Sequence, residues 1–147
     1  MRKDYSAIRR ELEGKLQKAL DHLNTSYRKV LALDLPSEGE FDEELLEVWE
    51  SFAARFSRTV DLFLTRYLRT RLLEEDPGFS GTLRDSLNQA EKLGIIQEAE
   101  LWLQIRELRN LAAHEYLEEK LARFFFALKE LTPNVLAIQS LFATEER

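Results

Sequence analysis

The chain of 147 residues contains no cysteine. Disulfides, thiolate metal sites and cysteine nucleophiles are excluded with it, and a cytoplasmic location is expected. Histidine is nearly as scarce, with His22 and His114 alone. Two histidines without cysteine leave too few ligands for an ordinary zinc site, so no metal or other cofactor is expected. No run approaches the roughly 18 apolar residues that would span a membrane. The N-terminal stretch MRKDYSAIRRELEG is charged and has no apolar centre, so no signal peptide is expected. Gly78 and Gly81 lack a preceding strand and a following Lys-Ser or Lys-Thr pair, which excludes a phosphate loop. No serine nucleophile elbow or Ser–His–Asp arrangement is present. Positive charge is also in deficit: the net charge is -6 and the pI about 5.1. That argues against broad nonspecific binding of nucleic acid, while leaving room for a local basic site.

Apolar residues make up 44% of the chain, enough for a sizeable core in one domain spanning residues 1–147. Three prolines and five glycines divide it, and the intervals carry helical rather than alternating patterns. Ile8, Leu12, Leu16, Leu20, Leu23, Tyr27, Val30 and Leu31 predict a helix from about Tyr5 to Leu33, ending before Leu35–Pro36. A second long helix is predicted from about Asp42 to Leu73, with Trp49, Phe52, Phe56, Val60, Phe63, Tyr67 and Leu68 as its apolar stripe. Thr82 and Asp85 form an approximate capping box for a short helix from Leu83 to Leu93, with Gly94 as its stop. A fourth helix runs from about Gln97 towards Tyr116. A fifth begins near Glu118 and carries Leu121, Phe124, Phe125, Leu128 and Leu131. Pro133 is expected to separate or kink the last segment, which holds Val135, Ile138, Leu141 and Phe142. The fold class is therefore all-α: an antiparallel helical bundle with two long helices and several shorter ones. The aromatic stripes are read as core rather than as a cofactor box.

Two features bear on chemistry. Arg55, Arg58, Arg66, Arg69 and Arg71 crowd the second helix with only Asp61 opposing them, which makes a basic ridge or an ordinary solvated flank. The second feature is the octapeptide RNLAAHEY, Arg109 to Tyr116. Arginine presents a fixed fork of donors to phosphate oxygens, and histidine exchanges a proton near neutral pH. On a continuous helix Arg109 and His114 stand about 7.5 Å apart along the axis and about 140° apart around it. Asn110 and His114, four residues apart, share a face, and Arg106 extends the same stripe. Two readings stand at this point. Arg109 holds a phosphate while His114 moves protons and Asn110 orients one or the other. Alternatively, Arg109 pairs with Glu107, Glu115 or another carboxylate, His114 caps a helix end and Tyr116 is an amphipathic edge residue.

Arg109–Asn110, three intervening residues and then His114–Glu115–Tyr116 resemble the RNxxxHxY form of the HEPN superfamily, most closely its HepT branch. The specific likeness covers Arg109 to Tyr116, and a looser likeness in helix order and size covers nearly the whole chain. The resemblance implies a HEPN-like helical bundle that forms a homodimer and sets two such motifs at the subunit interface. It implies a metal-independent endoribonuclease, the toxin of a toxin–antitoxin pair whose other half is a small MNT-type nucleotidyltransferase. By position, Arg109 and His114 become the catalytic pair, Asn110 a supporting polar residue and Tyr116 a candidate for adenylylation. Because HEPN-like bundles also serve as accessory modules, a noncatalytic partner of a nucleotidyltransferase is the alternative that the resemblance leaves open.

Overall fold

The computed structural model describes residues 4–36, 40–112 and 120–143. Regular structure among these residues is entirely helical. Helix α1 (Tyr5–Leu31) begins where the Asp4 carboxylate accepts the Ala7 N–H at 3.1 Å. Its Leu12, Leu16, Leu20, Leu23 and Val30 are buried along one stripe, as the leucine spacing predicts. Helix α2 (Glu43–Asp61) starts on an Asp42 cap that accepts the Leu45 N–H at 2.8 Å, with Glu43 and Glu44 in the first turn where the helix dipole favours them.

The second long element does not continue as one α-helix. After Asp61 it widens into a π-helical segment, Leu62–Tyr67, in which the Leu68 N–H reaches back five residues to the Phe63 carbonyl. It then resumes as α3 (Leu68–Glu75). Phe63, Leu64, Tyr67 and Leu68 are all buried, so the extra residue holds the apolar side on the core through a stretch where a regular helix would drift.

Local signals set the next elements. Thr82 and Asp85 make a full capping box at the start of α4 (Leu83–Lys92). Gly94 ends it in the left-handed region at φ +76°, with Gly94 N–H on the Glu91 carbonyl and Ile95 N–H on the Ala90 carbonyl. These are the paired bonds of a Schellman stop. The Glu91 carboxylate then accepts the Ala99 N–H at 2.8 Å, which fixes the start of α5 (Ala99–Ala112) against the end of α4.

Helix α6 (Leu121–Leu136) runs through Pro133, so of the two outcomes expected there, separation of the last segment does not occur at the proline. Pro133 is exposed, so the carbonyl it leaves without a donor lies on the solvent side. One position earlier, the Thr132 hydroxyl donates to the Leu128 carbonyl at 2.7 Å on the buried side. The break comes later, as a 3-10 turn at Ala137–Gln139 before the short α7 (Ser140–Ala143).

In this bundle α1 packs on α2, on the π-segment, on α3 and on α6. Helices α5 and α6 pack on α2, and α4 lies against α3 and α5. Two aromatic groups staple the elements together. Phe125 of α6 stacks on Trp49 of α2 at 5.4 Å and meets Phe41 edge-on. Phe63 of the π-segment lies 4.7 Å from Trp102 of α5 and 5.9 Å from Tyr67, which in turn meets Phe142 of α7. No helix of the described residues is long and apolar enough to cross a membrane.

Tyr67 also anchors a polar network between α1 and α3. Its hydroxyl donates to the Glu13 carboxylate at 2.9 Å and accepts from Arg71 at 3.0 Å. Arg9 bonds both Glu13 and Glu74. Burial, as the largest influence, pushes the Tyr67 hydroxyl well above the usual tyrosine range, so it is neutral wherever the fold persists. Tyr67→Phe is expected to cost about 2 kcal/mol, because both charged neighbours lose a partner. The wild type should also lose stability above about pH 10, where the unfolded tyrosine ionises and the folded one does not. The Phe variant should show a shallower alkaline decline. Urea unfolding of both proteins at neutral and alkaline pH measures this, and parallel declines would contradict it.

Candidate anion-binding groove at the end of helix α5

The RNxxxHxY stretch begins in the last turn of α5. Arg109 and Asn110 are described, whereas His114 and Tyr116 lie outside the described residues. Arg109 and Asn110 line an open groove of about 580 Å³. Its other walls are Asp61 at the end of α2, Leu64 and Thr65 of the π-segment, and Arg69 of α3. Gly81, Leu83 and Ser86 come from the start of α4, and Arg106 lies one turn back on α5.

The π-segment explains why these residues meet. In an unbroken α-helix Arg69 would lie about 80° around the axis from Asp61, eight residues earlier. One extra residue in the turn takes back about 100° and brings the two within about 20° of one line. Asp61, Thr65 and Arg69 thus share a stripe facing α5, while Phe63 and Tyr67 face the core.

Asp61 grips Arg109 side-on. Arg109 Nε donates to Asp61 Oδ1 at 2.5 Å, and Nη2 donates to Oδ2 at 2.7 Å. This hydrogen bonding holds the guanidinium more firmly in its charged form than usual, outweighing the opposite effect of partial burial. The pair realises the second sequence reading in part: Arg109 does meet a carboxylate, but it is Asp61 rather than Glu107 or Glu115. It also leaves the first reading its chemistry. A guanidinium has five N–H donors. With Nε and Nη2 on Asp61, the edge carrying Nη1 makes no hydrogen bond among the described residues. Asp61 therefore fixes the plane of Arg109 and leaves a second fork for an anion.

The basic ridge divides between structural and groove-facing arginines. Arg55 turns inward and donates to the His22 carbonyl at 3.0 Å and the Ser26 hydroxyl at 2.9 Å. Arg71 serves Tyr67. Arg58 and Arg66 are exposed and are not groove walls, and Arg69 alone of the five lines the groove. Sequence reasoning singled out Arg109 and Asn110 and set Arg106 on the stripe of Asn110, but did not join Asp61 and Arg69 to them. The available signal was Asp61 as the lone acid within an arginine-rich stretch. His22 is exposed, and no three acidic or histidine side chains converge as a metal site among the described residues.

With side chains 28% and 43% exposed, Arg109 and Asp61 form a partly screened pair. A double-mutant cycle of Asp61→Ala and Arg109→Ala should give a coupling of about 1 kcal/mol, the upper end for such a pair because its geometry is bidentate. Additive losses in thermal unfolding would show that the grip does not hold in solution.

Comparison of the chain with family models, with curated proteins and with solved structures gives no match in any of the three.

Proposed function

We propose that the chain is a HEPN-type, HepT-like endoribonuclease, acting without metal as the toxin of a two-component pair. The observation that carries this reading is the placement of Arg109 and Asn110 on the wall of an open groove, in the last turn of α5, five and four positions before His114 in the sequence. In the reaction His114 takes the proton from a ribose 2′-hydroxyl, and the 2′-oxygen attacks the adjacent phosphorus. The 5′-oxygen leaves and is protonated, yielding a 2′,3′-cyclic phosphate and a 5′-hydroxyl end. Arg109 stabilises the charge that gathers on the phosphoryl oxygens through its Nη1 edge. Two proton transfers are required, and an antiparallel bundle that dimerises across α5 supplies the second histidine from the other copy. Asn110 orients the histidine or the phosphate. Tyr116 is the residue that an MNT-type nucleotidyltransferase partner adenylylates, and the setting is cytoplasmic.

One observation favours the second reading, a noncatalytic module that binds a nucleotidyltransferase. The Asp61 grip occupies two of the Arg109 donors, and such pairing also serves a purely structural arginine.

Cleavage of RNA by purified, partner-free protein in the presence of chelator separates the readings. Wild type is expected to cut RNA and to leave DNA of the same sequence intact, because DNA lacks the nucleophile. Arg109→Ala and His114→Ala should each lose about 100-fold or more. Equal cleavage by all three proteins would point to contamination or a different site, and no cleavage of varied RNAs by folded, dimeric wild type would favour the accessory reading. Coexpression with the cognate nucleotidyltransferase should add a nucleotide mass to the intact protein. Loss of that increment in Tyr116→Phe, but not in Tyr27→Phe, would identify the modified residue.

A further inference from the structure

Arg69 and Arg106 lie outside the RNxxxHxY motif and have no structural employment. Both are exposed, both line the groove, and among the described residues neither forms an ion pair or hydrogen bond. An exposed arginine needs no explanation by itself, but two that converge on one recess of a protein with 27 acidic and 21 basic residues concentrate positive charge there. Arg9 holds Glu13 and Glu74, Arg55 holds Ser26, Arg84 holds Glu100 and Arg109 holds Asp61. Arg10, Arg28, Arg58 and Arg66 are exposed on open helix faces, and what sets Arg69 and Arg106 apart from them is that both line one recess beside Arg109. The groove walls carry three arginines against one aspartate, a local charge of about +2 where the whole chain carries -6. Low-dielectric walls concentrate such a field at the recess.

The positions of these arginines define what the field suits. Arg106 and Arg109 are three residues apart, one turn on the same side of α5. Arg69 reaches the groove from α3, on the opposite wall. A single phosphate on the free edge of Arg109 would leave at least one of the other two without an anion. A chain of phosphates running along the groove engages all three. The remaining accessible lining suits the rest of a nucleotide strand: Leu83 offers apolar contact to a sugar or base, and Asn110 offers hydrogen bonds. The N-terminus of α4 is no competing anion site, because Asp85 already occupies it in the capping box.

We propose that Arg69 and Arg106 form a second phosphate-binding position beside Arg109, and that the three arginines hold the backbone of single-stranded RNA across the groove between α3 and α5. The choice of RNA rests on the ribonuclease reading. The strand is single because a recess of about 580 Å³ between helices admits a splayed chain of nucleotides, whereas duplex RNA is met on a broad, shallow surface. Arg69 and Arg106 are binding and positioning residues: they set which phosphate lies at Arg109 without touching the reacting atoms.

The test measures binding rather than cleavage, so its outcome is independent of the chemistry. The probe is a fluorescein-labelled single strand of about ten nucleotides, 2′-O-methylated throughout so that the 2′-oxygen cannot attack. Fluorescence anisotropy is followed against salt for wild type, Arg69→Ala/Arg106→Ala and Arg69→Lys/Arg106→Lys. Both positions are on the surface, and circular dichroism melting checks that each variant is folded. The alanine pair is expected to bind about tenfold or more weakly at low salt, with a slope of log affinity against log salt smaller by about 1.4. The lysine pair should keep most of the slope, because it keeps the charges, while binding more weakly than wild type because it loses the fork. Unchanged affinity and slope in the alanine pair, absence of binding by wild type, or equal binding of a duplex of the same sequence would each overturn the proposal. If the alanine pair loses binding while wild type cuts no RNA, the groove stands and the ribonuclease reading falls. If wild type cuts RNA and the alanine pair binds as wild type does, the ribonuclease reading stands and this proposal falls.

Discussion

The contact between Phe63 and Trp102 determines where the groove is. At 4.7 Å it is a close ring-to-ring approach, and it joins the π-segment to α5. Both rings are buried, so separating them would expose two of the larger apolar surfaces in the core. Once α5 is docked at Trp102, its next two turns carry Arg106 and Arg109 past the end of α2. The same π-segment that delivers Phe63 to the core presents Asp61 and Thr65 to the other side. One packing event thus sets both the hydrophobic interface and the polar face above it.

Charge is distributed accordingly. Around the groove, acids are spent on structure: Asp85 caps α4, and Asp61 orients Arg109. Elsewhere the excess of carboxylates lies along exposed helix faces such as those of Glu11 and Glu50. An overall negative surface repels polyanions at long range, with a reach of about 10 Å at ordinary salt. A positive recess within that surface favours only a strand that can enter it closely, which makes selectivity a matter of access as well as charge. A net charge of -6 is in this way compatible with the proposed phosphate-binding groove.

Much of the fold was legible because its determinants are local. The leucine spacing of α1, the Thr82–Asp85 box and the Gly94 stop each involve residues a few positions apart, and each appears where the sequence places it. The all-helical class follows from such signals. Pro133 does not end its helix as one of the two expectations had it, because the cost of a helical proline depends on which side its unsatisfied carbonyl faces, and a sequence does not state that side. The groove was only half legible. Arg109 and Asn110 announce themselves by residue type, whereas Asp61 lies 48 residues away from Arg109. Arg69 was hidden for a different reason: an uninterrupted helical period turns it about 80° from Asp61, and the single residue that restores alignment leaves no mark in the pattern of apolar residues.

The Asp61–Arg109 pair bears directly on the proposed catalysis, since a committed arginine is a poor anion receptor. Magnitudes decide the point. If the pair had to break for a phosphate to bind, the loss would be about 1 kcal/mol for an ion pair this exposed, a factor of about five in rate. Charge stabilisation by a well-placed donor is worth about 3 to 4 kcal/mol. In the proposed mode the pair need not break, because Asp61 leaves the Nη1 edge of the guanidinium unused. What Asp61 contributes is order: a free arginine gives up about 2 kcal/mol of rotamer freedom when it settles on a ligand, and one already clamped along its Nε edge has given up most of that on folding. The carboxylate that neutralises part of the charge of Arg109 thereby makes the remaining donors more effective.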